Sequence, residues 1–162
     1  MENYLKMEIA ALGENESFAR SAVAAFALCL SPSLAEISDI KTAVSEAVTN
    51  SIVHAYGDKA DQKAIVIECR AEKSGGEGIL HITVTDGGCG IADIKRAIEP
   101  FYTTLEAEER SGMGFTIMKT FMDGFSVESE MGKGTRVSMF RRIKGVLQEK
   151  ITNEAVRERA NA

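Results

Sequence analysis

The feature that most constrains the fold of this chain is a long helical pattern from about Leu34 to Tyr56. Ser31-Pro32-Ser33 breaks the chain just before it, and a polar segment that begins at Gly57 follows it. Apolar residues recur along this stretch at helical spacing, namely Ile40, Val44, Ala47, Val48 and Ile52. The pattern therefore predicts one long helix with an apolar stripe that faces inward.

Two polar residues of this helix, Glu46 and Asn50, stand four positions apart, so the helix stacks them on one face. A carboxylate one turn away from an amide is what Mg-dependent phosphate chemistry needs. One group takes a proton or orders a nucleophile, and the other holds the metal. An ordinary solvated helix face shows the same pair, so the interpretation depends on the glycine-rich stretches further along the chain.

Length and composition limit the possible classes of protein. A chain of 162 residues that is 44% hydrophobic predicts one compact domain. The net charge of −5, with both signs interspersed, argues against direct binding of nucleic acid. The most apolar run, Ala22 to Leu30, is too short to span a bilayer. We therefore expect a soluble, cytoplasmic protein without a membrane segment.

The cysteines indicate neither a disulfide framework nor a zinc site. Cys29, Cys69 and Cys89 are odd in number, widely spaced and form no CxxC pair. They are interpreted as buried, reduced thiols. His54 and His81 are interpreted as structural or surface groups rather than metal ligands.

Alternating and helical patterns predict the order of elements. Strands are expected at residues 5–9, 64–69, 79–85, 125–130 and 135–143, and helices at residues 14–30, 34–56, 93–99 and 116–122. The first helix is expected to bury Phe18, Val23, Phe26, Ala27 and Leu30 and to expose Arg20. Residues 1–145 are taken as the domain, and residues 146–162 as a charged tail that is either helical or disordered.

A first glycine-rich loop follows the third predicted strand and reads Asp86-Gly87-Gly88-Cys89-Gly90. An acidic residue at a strand end followed by glycines can form the floor of a ligand site. Glycines allow close approach, and the carboxylate can accept from an exocyclic amine. A tight turn has the same composition, and that alternative stays open for this loop alone.

A second glycine-rich loop, Ser111-Gly112-Met113-Gly114-Phe115, leads into the helix at residues 116–122. Glycines at a helix N-terminus leave backbone N–H groups that favour an anion, so this loop is interpreted as a phosphate cradle. The segment before it, with Thr103, Thr104 and Arg110, is either a solvated loop or a lid in which Arg110 meets a terminal phosphate. The chain has neither a Walker-A loop nor a Rossmann fingerprint, so the phosphate site is of another kind.

The order of these motifs resembles that of the GHKL ATPases, which include sensor histidine kinases and gyrase-type topoisomerases. Glu46 with Asn50 is similar to the first motif of that family, residues 86–90 to its DxGxG adenine loop, Gly112-Met113-Gly114 to its GxG motif, and Gly134-Thr135 to its last motif. Within the superfamily, residues 14–20, 45–50 and 109–118 most resemble the bacterial anti-sigma serine kinases of the sporulation type.

The resemblance implies a two-layer α/β sandwich, the GHKL or Bergerat fold, in which helices cover one face of a mixed sheet. It also implies roles. Asn50 would be a Mg²⁺ ligand, Glu46 the base toward an acceptor hydroxyl, and Arg110 the partner of the γ-phosphate. Asp86 and Thr135 would bind the adenine amine, and Gly88 and Gly90 would shape that pocket. The remaining contacts to ATP or ADP would come from Thr103, Thr104, Ser111, Gly112, Met113, Gly114 and Phe115.

The implied function is that of an anti-sigma factor and protein serine kinase. Such a protein binds a sigma factor of the sigma F type and uses Mg-ATP to phosphorylate a serine of an anti-anti-sigma antagonist. A homodimer is also implied, and Arg20 is a candidate for a partner surface. Three alternatives stay open: a nucleotide-gated sequestering module with little kinase activity, a general-stress kinase of the sigma B type, and the detached catalytic domain of a histidine kinase. Cys89 departs from the expected adenine loop and predicts sensitivity to alkylation.

Overall fold

A computed structural model describes residues 2–56, 63–74, 76–100 and 112–144. Within these ranges the elements are β1 (Glu2–Ala10), α1 (Gly13–Ala27), α2 (Leu34–Asn50), β2 (Ala64–Ser74), β3 (Glu77–Asp86), α3 (Ile94–Ala97), α4 (Gly114–Phe121), β4 (Gly124–Glu130) and β5 (Gly134–Ile143). A 3₁₀ turn at Leu28–Leu30 follows α1, and a π-helical segment at Ser51–Tyr56 continues α2. No helix in the described ranges has the length and apolar character needed to cross a membrane. The predicted lid and the predicted tail lie outside the described residues.

The five strands form one sheet in the order β1-β2-β3-β5-β4. The predicted two-layer sandwich is confirmed, but the prediction of a mixed sheet is wrong, because all four neighbouring pairs are antiparallel. The sheet is antiparallel because each of these connections reverses the direction of the chain. β2–β3 and β4–β5 are hairpins, and β1 reaches β2 through two helices, which return the chain in the opposite direction.

The two faces of the sheet differ in the way that a period of two requires. One face buries Ile65 and Ile67 of β2 and Leu80, Ile82 and Val84 of β3 beneath the helices. The opposite face carries ion pairs such as Lys6–Glu68, 3.1 Å apart. His81 lies on that face, in agreement with its interpretation as a surface group. The helices, and any site built from them, therefore lie on the apolar side.

Helix α2 begins at Leu34, as predicted, because a capping box closes its N-terminus. The Ser33 side chain accepts from the backbone N–H of Glu36, and the Glu36 carboxylate accepts from the N–H of Ser33. The predicted stripe is buried at Ile40, Val44 and Val48. The single long helix that the pattern predicts changes at Ser51 into the π-helical segment, which alters where its last carbonyls point.

Helix α1 packs against the core through small side chains, with Ala19, Val23 and Ala27 buried. The prediction that Phe18 is a core residue is wrong, because its side chain is 59% exposed. The buried stripe repeats every four residues from Ala19, and Phe18 stands to one side of it. Arg20 is half-exposed and lies 3.6 Å from the Glu16 carboxylate.

One arginine on the helix-covered face joins three elements. Arg141 of β5 donates to the backbone carbonyl of Phe121 (2.7 Å) at the end of α4 and to Asp39 (3.1 Å) of α2. A guanidinium can bind a carbonyl and a carboxylate at once because its donors form a planar fork. These contacts fix the position of α4, whose other end carries the glycine-rich loop.

Candidate functional site

A cavity of about 900 Å³ opens between α2, the loop after β3 and the start of α4. That volume suits a small-molecule ligand of nucleotide size. Its walls include both glycine-rich loops and the polar face of α2. The site residues that the structure brings together around it are Glu46, Asn50, Asp86, Gly90, Gly112, Met113, Gly114, Phe115 and Thr135.

The floor of the cavity is the buried carboxylate of Asp86, at the end of β3. Its Oδ1 accepts from the backbone N–H groups of Gly88 (3.0 Å) and Thr135 (3.2 Å), and its Oδ2 accepts from the Ser51 hydroxyl (3.0 Å). Burial raises the pKa of the Asp86 carboxyl, and these three hydrogen bonds oppose part of that rise. All three partners donate, so the Asp86 carboxylate is expected to accept hydrogen bonds from a ligand in the cavity as well.

The loop after β3 is held against the end of the π-helical segment. The N–H of Cys89 donates to the carbonyl of Ala55 (3.0 Å), and the carbonyl of Cys89 accepts from Gly132 (2.8 Å). A Cβ at Gly88 would lie 2.4 Å from the Ala55 carbonyl oxygen, so a larger residue does not fit there. Gly88 thus shapes the pocket by allowing close backbone contact rather than by lining the cavity.

Tyr56, the last residue of the π-helical segment, adds a second attachment for this loop. Its hydroxyl accepts from the N–H of Gly87 (2.7 Å) and donates to the carbonyl of Ala64 (2.7 Å) at the start of β2. The protonated hydroxyl can make both bonds at once, and burial raises its pKa further above the ordinary value of tyrosine. The loop is therefore fixed to α2 and to the sheet.

At the other end of the cavity, Glu46 and Asn50 lie under the second glycine-rich loop. A Cβ at Gly114 would be 3.0 Å from Glu46 Oε2 and 3.3 Å from Asn50 Oδ1. Helix α4 begins at Gly114, two residues earlier than predicted, and its N-cap residue, Met113, makes no side-chain capping bond. The polar pair of α2 and the first turn of α4 thus face one another, as a phosphate site requires.

Thr103, Thr104, Arg110 and Ser111 lie outside the described residues, so the predicted lid has no structural account. The motif pattern missed further polar residues at or beside the cavity, among them Ser51, Tyr56, Arg96 and Ser129. The position of Ser129 could have been predicted from the sequence, because Ser129 continues the alternation of Phe125 and Val127 on the inner face of β4. A polar residue at such a position needs a specific partner.

The cysteines differ from one another more than the sequence predicts. Cys69 is buried, and burial raises the pKa of its thiol to about 12. The prediction of a buried thiol is wrong for Cys89, which is exposed at the cavity with its Sγ 3.2 Å from the His54 carbonyl oxygen. His54 also lines the cavity.

Comparison with known proteins identifies the class to which this fold belongs. Residues 9–141 match the family model of the histidine kinase-like ATPase domain, so the fold and the cavity define that class of protein. The solved structure of the RsbU and RsbW domains of a Mycobacterium tuberculosis protein aligns with 87% of this chain and 32% of that one, with a TM-score of 0.60 and 18% identity. At that identity the likeness supports the fold.

Closer relatives narrow the class. The Anti-sigma F factor of Clostridium botulinum (strain Eklund 17B / Type B) is 55% identical over 138 residues, which cover 85% of this chain and 93% of the relative. The Anti-sigma F factor of Clostridium novyi (strain NT) is 51% identical over 145 residues, or 89% and 97% of the two chains. The chain belongs to the anti-sigma F factor family of histidine kinase-like ATPases.

Proposed function

We propose that the protein is an anti-sigma factor that binds ATP or ADP and phosphorylates a serine of an antagonist protein. The observation that carries the proposal is the juxtaposition, in one cavity, of a buried acceptor floor at Asp86 and the Glu46–Asn50 pair beneath the first turn of α4. The end of the cavity at Asp86, here called the adenine end, suits an adenine amine. The end at Glu46 and Asn50, here called the phosphate end, suits phosphates.

Magnesium suits the phosphate end. Amide and carboxylate oxygens are ligands that Mg²⁺ prefers, and Asn50 Oδ1 and Glu46 Oε2 lie within 3.3 Å of one point, the Cβ position of a side chain at Gly114. The Asn50 oxygen would hold the ion, which when bound neutralises phosphate charge. Glu46 would accept the proton of the substrate serine as its oxygen bonds to the γ-phosphorus and ADP leaves.

The proposed partners are inferred from the names of the relatives. Relatives named Anti-sigma F factor support a sigma factor of the sigma F type as the bound partner, and an anti-anti-sigma protein as the phosphorylation substrate. A sigma factor acts in the cytoplasm, so the proposal locates the protein there. We also propose a homodimer, with half-exposed Arg20 of α1 in a contact surface for a second copy or for the partners.

Calorimetric titration with ATP, with and without Mg²⁺, tests the nucleotide part. Wild type is expected to bind ATP more tightly with Mg²⁺, and Asn50→Ala is expected to lose that increment while it keeps the metal-independent part. Asp86→Asn should weaken binding under both conditions, because an amide cannot accept from all three donors and the ligand. Lack of ATP binding by folded wild type would refute the proposal.

One observation favours the kinase over its main alternative, a nucleotide-gated sequestering module. A module that only binds needs no base, yet Glu46 lies beside Asn50 at the phosphate end. Incubation of the protein with radiolabelled ATP and the candidate antagonist, followed by phosphopeptide mapping, tests for a modified serine. Tight ATP and sigma-factor binding without phosphate transfer would favour the module.

A further inference from the structure

Ser129 makes a set of contacts beside the adenine end of the cavity that the nucleotide motifs do not include. It lies on the inner face of β4 and is half-buried. Its Oγ is 2.8 Å from the backbone nitrogen of Ile91, 2.9 Å from the carbonyl oxygen of Gly134 and 2.9 Å from Oγ1 of Thr135. Ser129 therefore joins the loop after β3, the start of β5 and the cavity-lining threonine.

Counting protons assigns a direction to each contact. The Ile91 N–H can only donate, and the Gly134 carbonyl can only accept. The serine hydroxyl has one proton and two lone pairs, so all three contacts form only if Ser129 donates to Gly134 and Thr135 donates to Ser129. The reverse direction between the two hydroxyls leaves the Gly134 contact unmade, at the cost of a hydrogen bond.

The consequence is a fixed polarity for the Thr135 hydroxyl. Because the proton of this hydroxyl is directed to Ser129, the hydroxyl can only accept a hydrogen bond from a ligand in the cavity. Asp86, which accepts from the backbone N–H of Thr135, also meets the cavity as an acceptor. Both groups at this end therefore accept hydrogen bonds, which suits a base edge that carries an amine and disfavours a carbonyl at the same place.

We propose that Ser129 is a specificity-determining positioning residue, which holds the Thr135 hydroxyl as an acceptor and so makes the pocket select 6-aminopurines over 6-oxopurines. The inference rests on the proposed function, since it assumes that this end of the cavity binds the base of a nucleotide. Ser129 acts through Thr135 and does not itself need to contact the ligand.

The test compares ATP with ITP, which has a carbonyl in place of the C6 amine and a proton on N1. Dissociation constants for both nucleotides are measured on the full chain. Wild type is expected to prefer ATP. Ser129→Ala frees the Thr135 proton to turn toward the ligand, so the ATP-to-ITP preference should fall by about twofold to tenfold, the range for one hydrogen bond. Ser126→Ala, on the exposed face of the same strand, should leave it unchanged.

A double-mutant cycle with Thr135→Val separates positioning from general disturbance of the fold. The valine removes the hydroxyl, so adding Ser129→Ala in that background should not change the preference further. If Ser129→Ala left the ratio of ATP to ITP affinity unchanged, whether or not both affinities fell, the inference would be overturned and the proposed function would stay intact. If wild type bound neither nucleotide, both the proposed function and this inference would fail. Should Ser129→Ala not fold, Thr135→Val alone must still lower the preference.

Discussion

The two ends of the cavity are built in different ways. At the adenine end, Asp86, Ser51, Thr135 and Ser129 are joined by hydrogen bonds of 2.9–3.2 Å. At the phosphate end, the defining geometry is the close approach of Gly114 to the side chains of α2. The proposed adenine end is thus pre-organised by the protein itself, which lowers the entropic cost of binding, whereas the proposed phosphate end presents the groups to which we assign the chemistry.

The largest effect should come from the phosphate end. Glu46→Gln keeps the size and polarity of the side chain but removes the proposed base, so phosphate transfer to the antagonist should fall by about 10²- to 10⁴-fold with ATP affinity retained. Single-turnover transfer and calorimetric binding, measured on one preparation, check both halves. Near-normal transfer would remove Glu46 from its proposed role, and lost ATP binding would indicate that it also holds the nucleotide.

A smaller effect should come from the backbone that shapes the adenine end. Gly90 has a φ of +76°, and a Cβ there would lie 2.3 Å from the carbonyl oxygen of Glu130. Gly132 has a φ of +78° with no atom within 4 Å. Gly132→Ala should therefore cost only the left-handed backbone strain, about 1–2 kcal/mol of unfolding free energy. Gly90→Ala should cost about 2–5 kcal/mol, because overpacking adds roughly 1–3 kcal/mol.

Urea unfolding of both alanine variants measures this difference, and ATP affinity at low denaturant reports on the pocket. Equal costs for the two substitutions would contradict the view that close packing, rather than turn conformation alone, fixes the loop after β3. A Gly90→Ala protein that binds ATP normally would show that the adenine end tolerates a shift of this loop.

The smallest effect concerns access to the cavity. Cys89 is exposed at the cavity, and Cys69 is 3% exposed with its pKa raised to about 12. In the native protein N-ethylmaleimide should modify Cys89 and spare Cys69, because the thiolate is the reactive form. ATP at ten times its dissociation constant should slow the labelling of Cys89 about tenfold by occupancy, with Cys29 as the internal control. If ATP did not slow the labelling of Cys89, this would argue against binding of adenine at the proposed adenine end of the cavity.

Local patterns predicted much of the molecule because they depend on near neighbours. The five strands, the start of α2 at Leu34 and the stacking of Glu46 with Asn50 follow from periods of 2 and 3.6 residues and from a capping box. The errors fall where a pattern gives no information on packing partners. Phe18 fits a helix but lies beside its buried stripe, and Cys89 is small and apolar enough for a core but lies in an exposed loop.

The sequence by itself determined the order of elements, the two glycine-rich loops and the polar face of α2, because each depends on residues that are close together in the chain. Only the tertiary structure decided which polar groups meet. Ser51 binds Asp86 across 35 residues, and Ser129 binds the N–H of Ile91 across 38 residues. Such contacts follow from the register of an antiparallel sheet and from the packing of α2 on it, and a one-residue shift in that register would turn Ser129 to the opposite face.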